Sequence, residues 1–144
     1  MSCAKAKRAH PAPAQDLYVS PLFQKSAALA RRTCGRWYIL SAKHGLLAPD
    51  TLIEPYDVTL EDYSRKERRE WASRVHRQLM DARLAGAGSH LLWLAGRAYL
   101  ADRVRLLPDC EHLDPLQGLG LGRRLSWLNA RLAATGSDPG GSAS

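Results

Sequence analysis

The chain has 144 residues, 45% of them hydrophobic and 24% charged, which suits one ordinary globular core and argues against a disordered or fibrous chain. Cys3, Cys34 and Cys110 are scattered, with no Cys-x-x-Cys spacing, which argues against a disulfide framework or a structural zinc site and fits a reducing cytoplasm. The formal net charge of +7 favours polyanionic partners, while the longest strongly apolar run, Leu91–Ala95, is too short to cross a bilayer and the N-terminus lacks the apolar core of a signal peptide.

In chain order, residues 1–8 are polar, and His10-Pro11-Ala12-Pro13-Ala14 reads as an extended loop, since proline suits neither a regular helix nor a central strand. Ser20 before Pro21 offers an N-cap with proline at the first helical position, and Leu22, Phe23, Ala27 and Ala30 then share one face before Gly35. Trp37-Tyr38-Ile39-Leu40 is the pattern of a strand buried on both faces, followed directly by Ser41-Ala42-Lys43-His44-Gly45. From Leu46 to Leu60, Pro49 and Pro55 with Asp50, Glu54 and Asp57 exclude a long helix and indicate a long ordered loop of the kind that carries function.

Ser64-Arg65-Lys66-Glu67 is a capping box, and Trp71, Val75 and Leu79 recur at helical spacing, so a helix runs to about Leu84 and stops in Gly86-Ala87-Gly88. His90–Ala95 reads as a second buried strand broken by Gly96, Tyr99–Leu107 as a helix, and Cys110–Leu113 as a further short strand. A glycine-rich loop, Pro115–Gly122, enters a helix over Arg123–Ala134, and residues 136–144 form a flexible tail. Strands without polar alternation, separated by helices, predict a single α/β domain over residues 1–135, with a small, mainly parallel sheet around 37–41 and 90–95 and helices on both faces.

Ligands of such a sheet sit beyond the carboxyl ends of its strands, which nominates the segments that follow them. Lys43 and His44 are the best titratable pair: histidine can move a proton near neutral pH and lysine can neutralise a phosphate or a leaving group, although both also suit a turn with a solvent-facing lysine. Glu54 and Asp57 flank Pro55-Tyr56 and can activate water or face a sugar cation, or equally serve as turn acids beside a core tyrosine. Gln117, Gly118, Gly120 and Gly122 with Arg123 open a helix whose free N–H groups can hold phosphate, or make a tight turn; they lack dinucleotide-fingerprint spacing. One cleft is expected to gather Ser41, Lys43, His44, Tyr56, Gly96, Tyr99, Gly118, Gly122 and Arg123, with Cys3 and Lys7 at its rim and Gly45, Gln117 and Gly120 in its ligand-binding loops. Ser41 lies outside a Gly-x-Ser-x-Gly elbow, which disfavours a serine hydrolase, and no metal or cofactor is expected. Arg65, Lys66, Arg68, Arg69, Arg74 and Arg77, interleaved with Glu67 and Glu70, suit either a solvated helix face or a phosphate track.

Taken together, Ser2–Lys7, Pro11–Phe23, Trp37–Leu47, Glu54–Leu60, Leu94–Tyr99 and Pro115–Gly122 resemble a bacterial and phage family of uncharacterised domains related to the YaaA peroxide-stress proteins, with Ser-Ala-Lys-His-Gly-Leu and Glu-Pro-Tyr-Asp as the specific blocks. The resemblance spans nearly the whole chain except the tail. It implies an α/β core similar to base-excision glycosylases and to domains of deazaguanine pathways, and a role in DNA protection or modified-base chemistry. The expectation that follows is an enzyme hydrolysing the N-glycosidic bond of a modified or damaged base, with DNA or a nucleotide as partner and no membrane. In it His44 or Lys43 assists the leaving base, Glu54 or Asp57 steadies the sugar cation or activates water, and the glycine loop with Arg123 holds phosphate. The rivals are a non-catalytic DNA-binding stress protein and a nucleotide-sensing domain.

Overall fold

The computed structural model describes residues 9–84, 86, 88–95, 97–101 and 106–136. Cys3, Lys7 and Gly96 of the expected cleft, and the tail beyond 136, lie outside the described residues. Helices start where cap chemistry places them. Helix α1 is one turn, Ala14–Leu17. Helix α2 (Pro21–Thr33) begins at Ser20, whose Oγ accepts the Phe23 N–H at 3.2 Å. Helix α3 (Arg65–Asp81) begins at Ser64, whose Oγ accepts from the Glu67 N–H at 3.1 Å while its own N–H donates to Glu67 Oε1 at 2.8 Å. The Ser64 N–H bond to Glu67 Oε1 first, and then the Ser64 side chain beside it, hold the Glu67 carboxyl below its ordinary 4.5. The helix stops short of the expected Leu84, because Arg83 turns the chain in the left-handed region at φ 56°. Short α4 (Arg97–Leu100) and C-terminal α5 (Leu121–Gly136) follow, the latter longer at both ends than the periodicity predicts.

The sheet departs from expectation. Strands β1 (Ala12–Pro13), β2 (Ile39–Ser41), β3 (Gly45–Leu47), β4 (Leu52–Ile53), β5 (His90–Leu92) and β6 (Glu111–Leu113) form three two-stranded pieces: β1–β4 and β2–β3 antiparallel, β5–β6 parallel. Among the described residues the strands therefore form no single, mainly parallel sheet; β2 and β5 are not hydrogen-bonded to one another. One edge of β2 is taken by β3 for a local reason: residues 42–44 reverse the chain, Gly45 adopts φ 72°, and an antiparallel neighbour needs only that short turn. The expected 46–60 loop supplies most of β3, all of β4 and the start of a 3-10 turn at Leu60–Asp62, and the expected His10–Ala14 loop supplies the short strand β1, an edge where proline is tolerated.

Side chains of β2 divide between two cores by strand alternation. Ile39 packs with Leu17, Tyr18 and Phe23; Leu40 and Ala42 pack with the Trp71–Val75–Leu79 stripe of α3. A third cluster, Leu29, Leu94, Leu116 and Leu128, joins α2 to α5, with Lys25 Nζ donating to Asn129 Oδ1 at 2.6 Å beside it. Each fully buried leucine or phenylalanine contributes about 1.5–3 kcal/mol relative to exposure. The result is a small single-domain α/β protein whose β2–β3 turn sits where two of these cores meet.

Candidate functional site

Ser41 ends β2 on the Ile39 face, fully buried, and its hydroxyl is spoken for: it accepts the His44 N–H at 3.1 Å and hydrogen-bonds the Tyr56 hydroxyl at 2.7 Å. The Tyr56 hydroxyl in turn meets that of buried Tyr18 at 2.5 Å, so three hydroxyls stand in line. Above them the His44 ring lies edge-on to the Tyr56 ring, centroids 5.5 Å apart, and Lys43 Nζ stands 6.0 Å from the same centroid. Tyr56 is thus fixed at its hydroxyl and flanked at its ring by the two titratable residues of the turn.

Helix α3 and the turn before it hold the backbone of this segment. Trp71 Nε1 donates to Ser41 O at 2.8 Å and Tyr63 Oη to Ala42 O at 3.0 Å. Arg74 forks, Nη1 to Lys43 O and Nη2 to His44 O, both at 3.1 Å. Gln78 Nε2 donates to His44 O at 3.3 Å, and its Oε1 accepts the Leu46 N–H at 2.8 Å. Four successive carbonyls, 41 to 44, therefore carry a side-chain donor. Gly45 fits here as a backbone requirement: its φ is positive, and a Cβ would run into Gln78 Oε1.

The electrostatics of this seat act on His44. Partial burial first, then the Lys43 ammonium and the Arg74 guanidinium, push its pKa below the ordinary 6.5, so the imidazole is neutral at pH 7 and able to accept a proton. At neutral pH the His44 ring is therefore a proton acceptor rather than a donor.

The other expected site residues scatter. Tyr99 sits behind the turn, its ring edge-on to Trp71 at 5.5 Å. Glu54 and Asp57 are exposed, and among the described residues neither is hydrogen-bonded or ion-paired to Lys43 or His44. Gln117, Gly118, Gly120, Gly122 and Arg123 are exposed, with Gly118 at φ 79° as a tight turn requires. Leu116 and Leu119 anchor that run to the α5 cluster, and Arg124, not Arg123, ties it down through Leu119 O at 2.8 Å and Ala95 O at 3.3 Å. Among the described residues no hydrogen bond, ion pair or ring contact links 117–123 to Ser41, Lys43, His44 or Tyr56. The basic residues of α3 divide likewise: Arg68 bonds Leu60 O and Glu61 O, Arg74 grips the turn, and Arg65, Lys66, Arg69 and Arg77 remain exposed. No group of three His, Cys, Asp or Glu side chains able to hold a metal occurs among the described residues, and no helix there is long and apolar enough to cross a membrane.

Sequence reasoning missed Tyr18, Tyr63 and Gln78, and read Arg74 only as surface charge. A signal for two of them exists: Arg74 and Gln78 precede Val75 and Leu79 by one position, so both border the apolar stripe and can reach over it. Nothing local marks Tyr18, which meets Tyr56 across 38 residues of chain.

Among curated proteins, the chain is 32% identical over 124 residues to an uncharacterized Bacillus subtilis (strain 168) protein, YfjM, the match covering 84% of this chain and 81% of the relative. No solved structure matches the chain. Residues 1–130 match a family described as "Family of unknown function (DUF6884)", and the chain belongs to that uncharacterised family.

Proposed function

We propose that the protein is a base-processing enzyme that hydrolyses the N-glycosidic bond of a nucleotide or nucleic-acid base, a modified or damaged one. The observation that carries the reading is the Lys43–His44–Tyr56 cluster: a neutral imidazole and an exposed ammonium on one rigid turn, both against a hydroxyl-anchored aromatic ring. Water attacks the anomeric carbon and gives its proton to His44, while the carbon–nitrogen bond breaks and the base leaves with the electron pair, which a Lys43 proton neutralises. Glu54 and Asp57, which flank Pro55-Tyr56, supply the carboxylate that faces the sugar cation. The resemblance to YaaA-related proteins supports a nucleobase substrate, and the net charge of +7 suits a phosphate-bearing one. A base in duplex DNA must first be flipped out of the stack.

The test is mass spectrometry of bases released from nucleotides, normal DNA and hypermodified DNA. Release is expected from at least one substrate, falling by roughly 100-fold or more in His44→Gln and in Lys43→Met with the fold intact. A second reading rests on the four exposed α3 cations: a non-catalytic DNA-binding protein. DNA binding without base release, insensitive to His44→Gln but lost on reversing the charge of Arg65, Lys66, Arg69 and Arg77, replaces the enzyme with that reading.

A further inference from the structure

Charge is unevenly distributed over the helices. Helices α2 and α5 contain no Asp or Glu, while carrying Lys25, Arg31, Arg32, Arg123, Arg124 and Arg131. Helix α3 instead interleaves its cations with Glu67, Glu70 and Asp81, and turns Arg68 and Arg74 onto backbone carbonyls. On the α2–α5 pair the partners are neutral. Lys25 Nζ donates to Asn129 Oδ1 at 2.6 Å and Arg32 Nη1 to Leu132 O at 3.1 Å, both across the seam between the helices, and Arg124 donates to the Leu119 and Ala95 carbonyls. Arg31 and Arg131 lie over the Trp37 and Trp127 rings, 5.5 and 5.4 Å from the centroids. Among the described residues none of these cations is ion-paired, so their charge is left for an anion from outside.

Helix α5 also has the form of a ridge. Leu128 points into the core and each residue turns the helix by about 100°, so Ser126, Ala130 and Ala133 fall on the outward crest, Asn129 on the side of α2, and Arg123, Trp127 and Arg131 on the opposite flank. The three crest residues are small and exposed. Lys25 and Arg32 therefore stand on one side of the crest and Arg123 and Arg131 on the other, with the body of one helix, about 10–12 Å across, between them. A B-DNA major groove is about 12 Å wide and is bounded by a phosphate backbone on each side, so it matches both the width and the charge of this ridge. A helix lying on a membrane surface presents long apolar side chains outward, where α5 presents serine and alanines. The major groove of duplex RNA is too deep and narrow to take a helix. We propose that α5 is a docking ridge for the major groove of duplex DNA, Lys25 and Arg32 reaching one phosphate backbone and Arg123 and Arg131 the other. It rests on the base-processing reading in one respect, that the base acted on is held in duplex DNA rather than in a free nucleotide.

The test is fluorescence anisotropy of a labelled DNA duplex of about two helical turns, titrated with the 144-residue chain across a salt series, each variant's fold being checked by circular dichroism. Arg123→Gln and Arg131→Gln are each expected to weaken binding about three- to tenfold and to reduce the slope of log K against log salt by about 0.9, the share of one phosphate contact. Ala130→Glu keeps a good helix former and sets a carboxylate on the crest, and is expected to weaken binding about tenfold or more. Duplex RNA of the same sequence is expected to bind more weakly than the DNA. The proposal is overturned by no binding to DNA, by binding that ignores Ala130→Glu or both arginine variants, by duplex RNA held as tightly as DNA, and by capture on phosphatidylglycerol vesicles in place of DNA. It is overturned too if binding is lost on charge reversal of Arg65, Lys66, Arg69 and Arg77 while the ridge variants are silent, since the interface is then α3. Base release is scored separately on the same samples. Release from free nucleotides without duplex binding removes the ridge and leaves the catalytic reading, whereas ridge-dependent binding without release supports the ridge and removes the catalytic reading.

Discussion

At the scale of single residues, the His44 imidazole is neutral at pH 7 because of where it is seated, and the same seat couples it to folding. Its folded pKa lies below 6.5, so as pH falls the unfolded chain takes up the proton first. Stability linked to His44 is therefore fully present above about pH 6.5 and is lost as pH drops through the lowered folded value. Urea midpoints measured from about pH 7 to pH 5 are expected to fall more steeply for the wild type than for His44→Gln; the difference cancels the other histidines, and equal slopes contradict the lowered pKa. Ser41 and Tyr56 show the complementary rule, that a buried hydroxyl is kept by giving it partners, here a chain of two tyrosines and one backbone N–H.

At the scale of elements, the β2–β3 turn and α3 form one unit, because the helix supplies donors to carbonyls the turn cannot satisfy itself. Gln78 is the hinge of that unit, serving His44 O and the Leu46 N–H while occupying the space beside Gly45. Gln78→Ala is expected to cost about 1–3 kcal/mol by urea denaturation and to speed exchange of the Leu46 amide. Gly45→Ala pays for both a positive φ and the collision with Gln78, so in a double-mutant cycle its cost shrinks in the Gln78→Ala background but does not vanish. Additive costs sink this account of the turn. Both helix starts flanking it were legible from Ser20-Pro21 and Ser64-x-x-Glu67, since capping acts within four residues of chain.

At the scale of the whole molecule, three apolar clusters are distributed around β2 and the α2–α5 contact. Leu128 is fully buried against Leu29, Leu94 and Leu116 and is the buried apolar anchor of the C-terminal helix. Leu128→Ala is expected to cost about 2–5 kcal/mol, with Trp127 fluorescence and far-UV circular dichroism still changing together in denaturant. A separate early transition of Trp127 identifies α5 as an appendage that docks on its own.

The sequence by itself determined what depends on neighbours in the chain: α2 and α3 from caps and apolar period, β2 as a doubly buried strand, and the buried Trp71 and Trp93. Tertiary structure decided what depends on partners far along it. That β2 takes β3 as its antiparallel neighbour turns on a reversal of three residues that follows the strand, and no pattern within β2 records that outcome. Tyr18 finds Tyr56 across 38 residues, Arg74 and Gln78 bond the 43–46 backbone, and Leu116 and Leu119 anchor the glycine loop to the α5 cluster. Each is a contact between residues whose local context is satisfied either way, so only the packing of the whole chain selects it.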